Sequence, residues 1–352
     1  RTFGTGEQLT IVPAIRKGAV AEPVVRLVDK PRSAFERYFE FTPLTVIGAA
    51  IVFVFGLMFF AYNWWRNGRD RTYTSIYYLT NDPTQETRPL FHRDQVVVEY
   101  TPPDDLRPAQ MGVLLDERAD TKDATATIVD LAVRGYLTIE ELEKDWIFGK
   151  KDWKLTKKKE PDDLQSFERT ILKGLFEDGG EAQVSDLKNE YHDSLTTAQG
   201  ELYADTVSRG WFAKAPDAAR TSASATAAAV GVAGAAASYG LGRFFGAALV
   251  GVPVVGIGVL MLATTGWMPK RSAKGSEALR RVLGFRLYID TAETRRQEFN
   301  EKANIFAEYL PYAIVFGCVE KWAHVFRDID TTAATGGWYY GAAAFSAPAF
   351  SL

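Results

Sequence analysis

An uncharged apolar run near the N-terminus constrains this chain more than any other feature. The run, residues 43–65, reads PLTVIGAAIVFVFGLMFFAYNWW and contains no Asp, Glu, Lys or Arg. A helix needs about 20 apolar residues to cross the hydrocarbon core of a bilayer. No face of this helix would be polar, so the run predicts a transmembrane helix rather than the core helix of a soluble domain. Trp64 and Trp65 close the run, as aromatic rings often do at the membrane interface.

A second apolar region, residues 221–268, contains a single charged residue, Arg243. Its length of about 48 residues exceeds one span, so it predicts two helices with a tight connection, at 222–242 and 244–267. The first of these has small residues at every fourth position, which would let helix backbones approach closely in lipid. Because alanine and glycine gain little from lipid, a flexible linker is the alternative for residues 222–242.

Basic residues directly follow both apolar regions: Arg66, Arg69 and Arg71 after the first, and Lys270, Arg271 and Lys274 after the second. Such clusters mark the cytoplasmic side of a membrane span. Three crossings, with the N-terminus outside and the C-terminus in the cytoplasm, place both clusters on that side. The sequence therefore predicts a multi-pass membrane protein.

The residues before the first apolar run, 1–42, are expected to lie outside the cell. Residues 8–12 alternate in polarity as a strand does, and Lys17-Gly18 is typical of a turn. A lone strand is not stable in water, so we expect the end of an extracytoplasmic β-domain here. The chain begins at Arg1 rather than methionine, which indicates a fragment or a processed product.

Residues 66–220, called the module below, contain no long apolar run and are expected in the cytoplasm. Their pattern predicts the following elements in order: a strand at 95–100, a helix at 106–115, a helix capped by Thr121 or Asp123, and strands at 136–141 and 153–156. Gly135 lies where a left-handed residue ends a helix, and DWIFGKKD forms the turn between the two strands. Helix, Arg-Gly-aromatic and hairpin is the order of a winged helix.

The same order recurs in the second half of the module. Its predicted elements are a helix at 164–177, a strand at 182–184, a helix from Ser185 to Tyr191, and a helix at 195–209. VRGYL at 133–137 matches SRGWF at 208–212. The repeat predicts two winged-helix-like halves in tandem, and hence a mainly α membrane protein with an α+β cytosolic part.

Winged helices often bind DNA, but the charge of the module argues against it. Residues 100–217 carry about 16 basic and about 25 acidic side chains, a balance of about −9 that repels phosphate. Residues 195–209, the candidate recognition helix, contain Glu201, Asp205 and a single cation, Arg209. The basic run at 157–159 indicates a solvated turn or a contact with anionic lipid. The charges favour a protein partner over nucleic acid.

No pattern of catalytic or ligand-binding chemistry stands out. The three histidines, His92, His192 and His324, are far apart and lack Cys, Asp or Glu at metal spacing. The sequence has neither a phosphate-binding glycine loop nor a nucleophile elbow. Paired carboxylates such as Asp104-Asp105 sit at helix starts, where they serve helix ends and solubility. We therefore predict no catalytic, cofactor-binding or metal-binding residues, no cofactor and no enzymatic activity.

Residues 269–330 form a predicted cytosolic block of amphipathic helices, called the C-terminal block below. A polar-rich helix is expected at 276–303, and another begins at Pro311. The apolar face of the latter includes Cys318, best explained as a small core residue rather than a nucleophile. That face is expected to pack on the protein itself, on a partner or at the lipid headgroup boundary. The tail, residues 331–352, has no period and is expected to be flexible.

Three stretches resemble a known family. VVVEYTPPDDLRPAQMGVLLDERADTKDATATIVDLAVRGYLTI at 96–139, GSEALRRVLGFRLYIDTAE at 275–293 and FAEYLPYAIVFGCVEKWAHVF at 306–326 are similar to blocks of the YciQ-like predicted bacterial membrane proteins, domain of unknown function 2207. GEQLTIVPAIRKGAV resembles the last strands of that family's outer domain. The resemblance covers nearly the whole chain in the right order. It implies an extracytoplasmic β-sandwich-like domain, a span, a cytosolic part, paired spans and a C-terminal block, and it implies no reaction.

Together these patterns predict three transmembrane helices and a tandem winged-helix-like module in the bacterial inner (plasma) membrane. The expected function is that of a non-enzymatic scaffold or interaction protein that links an extracytoplasmic domain to a cytosolic protein-binding module. The alternatives are a membrane-tethered winged-helix regulator that binds DNA, and an accessory subunit of a transporter or envelope enzyme. The expected partners are the lipid bilayer and a protein bound by the module.

Overall fold

The computed structural model describes residues 12–14, 16, 32–75, 81–89, 95–142, 152–187, 191–292, 303–325 and 336–341. Within these ranges the chain is mainly helical and has two small sheets. The predicted outer strand at 8–12 (apart from Val12), the turn at Lys17-Gly18 and most of the hairpin turn DWIFGKKD lie outside the described residues.

The first apolar run forms a single long helix. A short helix α1, Ala34–Tyr38, precedes helix α2, Pro43–Asn67. Thr42 caps α2, since its hydroxyl oxygen accepts a hydrogen bond from the Thr45 amide at 3.2 Å. The first turn tolerates Pro43 because the amide hydrogen that proline lacks has no helical partner there. By length and composition α2 is able to cross a membrane, and most of its side chains are exposed.

The module contains helices packed on a small sheet. Its elements are β1 (Arg71–Tyr73), β2 (Gln85–Thr87), a 3-10 helix at Pro103–Asp105, α3 (Pro108–Asp116), α4 (Thr121–Val133), β3 (Leu137–Leu142), β4 (Asp152–Lys157), α5 (Ser166–Leu175), β5 (Glu181–Gln183) and α6 (His192–Ser208). The N-cap of α4 is Asp120 rather than Thr121 or Asp123. The predicted strand at 95–100 is wrong, because these residues form no regular structure.

One four-stranded sheet serves both halves of the module. Strands β3 and β4 pair antiparallel, and β5 adds antiparallel to β4. A two-residue strand β6, Tyr339–Tyr340, adds parallel to β3, so the order is β5-β4-β3-β6. The predicted tandem of two winged-helix-like halves is not confirmed, because the second half adds its strand to the hairpin of the first. Part of the predicted helix from Ser185 to Tyr191 lies outside the described residues.

The second apolar region starts as a long helix, α7, Pro216–Phe245. It is the second described helix that is long and apolar enough to cross a membrane. Residues 222–242 are therefore helical rather than a flexible linker. The predicted break at Arg243 comes too early, since α7 ends at Gly246, whose φ of 68° places it in the left-handed region.

The predicted third transmembrane helix at 244–267 is not confirmed. The structure divides this stretch into a 3-10 helix at Ala248–Val250, helix α8 (Val252–Ala263) and a 3-10 helix at Thr265–Trp267. At 1.5 Å per residue, α8 alone is about 18 Å long, less than the roughly 30 Å of a hydrocarbon core. It packs closely against α7, where Gly258 lies against the Gly231 backbone, and against α2 at Gly56.

The C-terminal block consists of α9 (Ala273–Asp290), α10 (Ala303–Phe316) and α11 (Val319–Val325). Pro311 lies inside α10 and does not start a helix. The chain then breaks at Gly317, with a φ of 69°. Side chains 306–316 are buried apart from Glu308, so α10 is a core helix rather than an amphipathic one.

One hydrophobic core joins the C-terminal block to the module. Helix α10 packs on α3 and α4, and Phe285 of α9 makes edge-to-face contacts with Tyr309, Tyr312 and Phe316. Trp338 of the tail is buried in the same core. The prediction of a flexible tail is therefore wrong for residues 336–341.

Candidate functional site at the membrane junction

The candidate site lies where charged side chains converge between the long apolar helices and the module. In the part of the chain that the structure describes, no three His, Cys, Asp or Glu side chains come together as metal ligands would. Two carboxylates and two backbone carbonyl groups surround Arg271, which follows α8 and precedes α9. This arginine is only 8% exposed, so its charge has to be compensated by protein groups.

The guanidinium of Arg271 connects Asp70, which follows α2, to Glu117, which follows α3. These three residues are called the junction below. The Nη1 atom of Arg271 pairs with Glu117 at 2.5 Å and with Asp70 at 3.3 Å. Its Nη2 and Nε donate to the carbonyl oxygen of Leu114 at 2.8 and 3.2 Å, and Nη2 also reaches the Leu115 carbonyl oxygen at 3.2 Å. These bonds satisfy the open carbonyls at the C-terminus of α3. The planar, multi-donor head of arginine suits such a junction better than the single ammonium of lysine.

The residues after Arg271 fix α9 to the module. The Ser272 amide donates to the carbonyl oxygen of Trp211 at 2.8 Å, and the Ser272 hydroxyl donates to that of Gly210 at 2.5 Å. Gly275 lies so close that a Cβ atom there would overlap the backbone of Trp211. The amide of Arg271 also donates to Asp70 at 2.8 Å, so backbone and side chain bind the same carboxylate.

Glu117 is the strained partner in this junction. It lies in the left-handed region with a φ of 64°, which is uncommon outside glycine. Burial raises its pKa above the ordinary value, and the charge of Arg271 counteracts that rise. Glu117 therefore relies on Arg271 to remain ionised in a desolvated place.

The Arg-Gly-aromatic repeat found in the sequence forms two equivalent turns. Gly135 and Gly210 have φ values of 78° and 74°. Before each glycine, an arginine pairs with an aspartate four residues earlier: Arg134 with Asp130 at 2.9 Å, and Arg209 with Asp205 at 2.8 Å. Each guanidinium also lies over the following aromatic ring at 5.4 Å. The second turn contacts α9 at the junction, whereas the first belongs to the module's core.

A buried polar network connects these two turns. Gln110 of α3 is fully buried, and its Nε2 donates to Asp205 at 2.6 Å and to Gln165 at 2.8 Å. Arg134 also pairs with Glu168, which is fully buried at the start of α5. Burial raises the pKa of Asp130 to about 6 despite its arginine partner. The module is thus a packed unit whose interior charges depend on one another.

The structure places the other residues singled out by sequence on separate elements. Cys318 is buried, and burial raises its pKa to about 11, which favours the unreactive thiol. His192 starts α6 and His324 lies in α11, while His92 is outside the described residues. Arg209, the single cation of the predicted recognition helix, is held by Asp205. In the sequence, Arg271 is only one member of a basic cluster that indicates topology, since its partners lie about 150 to 200 positions away.

The described residues thus include two helices long and apolar enough to cross a membrane, and Arg271 connects the segment that follows one of them, α2, to the module. The chain belongs to the family described as "Predicted membrane protein (DUF2207) C-terminal domain", whose model matches residues 97–326. This confirms the family resemblance found in the sequence. No curated protein and no solved structure matches the chain.

Proposed function

We propose that the protein is a non-enzymatic scaffold of the inner membrane, which links an extracytoplasmic domain to a cytosolic protein-binding module. The observation that carries this proposal is the buried contact of Arg271 with both Asp70 and Glu117. Asp70 follows the membrane helix α2, and Glu117 follows α3 of the module. A displacement of the membrane helices would therefore move the module directly, because breaking this contact leaves buried charges unpaired.

Three crossings are supported by the path of the chain after α7. At one end of the helix bundle, Ala247 forms a β-bridge with Phe39, just before α2. At the other end, the Lys270 ammonium lies 3.5 Å from the carbonyl oxygen of Arg66, near the end of α2. Residues 247–270 thus return along the full length of α2. The basic clusters after α2 and after this return segment favour the cytoplasm for the end that carries the module.

The surface proposed for a protein partner is an exposed acidic face beside β5. Asp162 and Asp163 follow β4, and Glu177 and Asp178 follow α5; all four are exposed. The end of β4 lies beside the turn that follows α5, since the Lys157 amide donates to the Gly180 carbonyl oxygen at 2.8 Å. Such a face repels nucleic acid and fits a partner with a basic surface.

Photo-crosslinking in intact cells tests this proposal. A photoreactive amino acid at Glu177 of the full chain should give a protein adduct that resists nuclease. The Asp163→Asn/Asp178→Asn variant should lose most of the adduct, whereas Asp105→Asn/Asp193→Asn, which removes the same charge from exposed acids elsewhere, should keep it. A nuclease-sensitive adduct, or equal loss in both variants, would contradict the proposal.

A further inference from the structure

A cavity at the module end of the membrane helices carries an inference beyond the scaffold role. It has a volume of about 370 Å³ and lies between α2, α7 and α8. Its polar lining consists of Asn63, Asn67, Lys214, Ser222, Thr226 and Lys270. Met261 of α8 contributes to its apolar side and belongs to the small core between α7 and α8. The cavity thus combines cationic groups with an apolar wall.

The electrostatics of the cavity select an anion. Its lining contains two lysines and no carboxylate. Among the described residues neither lysine forms an ion pair; the Lys214 ammonium donates to the Ser222 hydroxyl at 2.8 Å, and that of Lys270 lies 3.5 Å from a backbone carbonyl oxygen. Asn67 donates to Asn63 at 2.8 Å, so amide groups line the side formed by α2. An anionic oxygen group between the lysines would find several donors.

The position of the cavity identifies the source of that anion. It opens at the end of α2 where Trp64 and Trp65 mark the membrane interface. Basic pockets between transmembrane helices at this depth are suited to lipid headgroups. The apolar wall is continuous with helices whose outer surfaces are exposed and apolar, where acyl chains would lie.

We propose that this cavity binds the phosphate headgroup of an anionic phospholipid of the leaflet that faces the module. Lys214 and Lys270 contact the phosphate, and the side-chain amides of Asn63 and Asn67 complete its hydrogen bonds, since the hydroxyls of Ser222 and Thr226 already donate to backbone carbonyl oxygens. A zwitterionic lipid such as phosphatidylcholine is disfavoured because its quaternary ammonium would approach the same two lysines. Lys270 directly precedes Arg271, so the bound lipid lies next to the junction.

Native mass spectrometry of the full chain released from nanodiscs tests the site. With equal amounts of phosphatidylglycerol and phosphatidylcholine, the wild type should retain one phosphatidylglycerol. Lys214→Gln/Lys270→Gln should bind it about 25-fold more weakly, because each lysine near an anionic surface contributes about fivefold. Lys158→Gln/Lys159→Gln removes the same charge from an exposed turn of the module and should retain the lipid.

A steric variant keeps the test decisive if the double lysine variant does not fold. Ala223→Leu fills the cavity without changing its charge, and it should also lose the retained lipid. Equal retention in the wild type and in the folded variants, equal loss in the Lys158→Gln/Lys159→Gln control, or displacement by millimolar inorganic phosphate would overturn the proposal. A chain that fails to enter nanodiscs would refute the membrane crossing, whereas one that enters without lipid preference would refute only this site.

Discussion

Replacement of Arg271 by methionine tests the junction most severely. Methionine keeps much of the side-chain volume and removes the charge and every donor. The change leaves Asp70 and Glu117 without their shared cation, and it frees the carbonyl oxygens of Leu114 and Leu115. Removing one partner of a buried ion pair costs about 3–5 kcal/mol, because the remaining charge stays desolvated. For a unit of about 200 residues, this corresponds to a fall in melting temperature of about 6–20 °C.

The loss of stability in Arg271→Met should also depend on pH. Burial already raises the pKa of Glu117, and without Arg271 the rise is larger. A carboxyl group whose pKa is raised by folding contributes stability that is fully present below its unfolded pKa of about 4.3 and is lost as the pH rises through the folded pKa. Arg271→Met should therefore be less destabilising at about pH 5 than at about pH 8.

The assay is thermal unfolding of the full chain in detergent, followed by intrinsic fluorescence. The control is Arg118→Met, because Arg118 is exposed and directly follows Glu117. This change should shift the melting temperature by less than about 2 °C. Arg271→Met/Glu117→Gln should recover part of the loss, since the second change removes the unpaired charge. If Arg271→Met and Arg118→Met had the same melting temperature at both pH values, the contribution of the junction to stability would be refuted.

Three further predictions concern the module and its C-terminal block. Because folding raises the pKa of Asp130 to about 6, the free energy of unfolding should increase by about 1.4 kcal/mol as the pH falls from about 7.5 to about 5. Asp130→Asn should remove that part of the pH dependence. Gly284→Ala places a Cβ atom on a neighbouring backbone carbonyl and should cost about 1–3 kcal/mol in denaturant unfolding, whereas Gly200→Ala, in open space, should be neutral or stabilising. Trp338→Ala should detach β6, and the amide of Ile139, which donates to the Trp338 carbonyl oxygen at 2.7 Å, should then exchange with deuterium more than about tenfold faster. Unchanged exchange at Ile139 would mean that the tail does not hold the sheet edge.

Local sequence signals predicted the elements that depend on local chemistry. The absence of charge in residues 43–65 predicted α2, because a helix without a polar face suits a membrane better than the surface of a soluble domain. The glycines at 135 and 210 predicted the ends of α4 and α6, since a left-handed turn favours glycine over other residues. Periodicity predicted the hairpin of β3 and β4 to within one residue.

Long-range packing decided the elements that sequence missed. The β-branched run at 95–100 favours a strand, but its backbone lies against Gly284 of α9, about 185 positions away, and none of the described strands pairs with it. A helix that starts at Pro311 would be amphipathic, whereas α10 starts at Ala303 and buries side chains 306–316 apart from Glu308. The sequence gives no sign of the junction, because Arg271, Asp70 and Glu117 come from distant parts of the chain. Such contacts leave no periodic pattern in the sequence.

Cysteine accessibility in intact cells tests the central claim, that the chain threads the membrane with the module in the cytoplasm. Cys318 gives little background, because burial raises its pKa to about 11 and keeps it as the thiol. A membrane-impermeant maleimide should label Val12→Cys, at a site 83% exposed, in sealed cells, and should label Lys158→Cys only after permeabilisation. Labelling of Lys158→Cys but not of Val12→Cys in sealed cells would invert the topology and contradict the account.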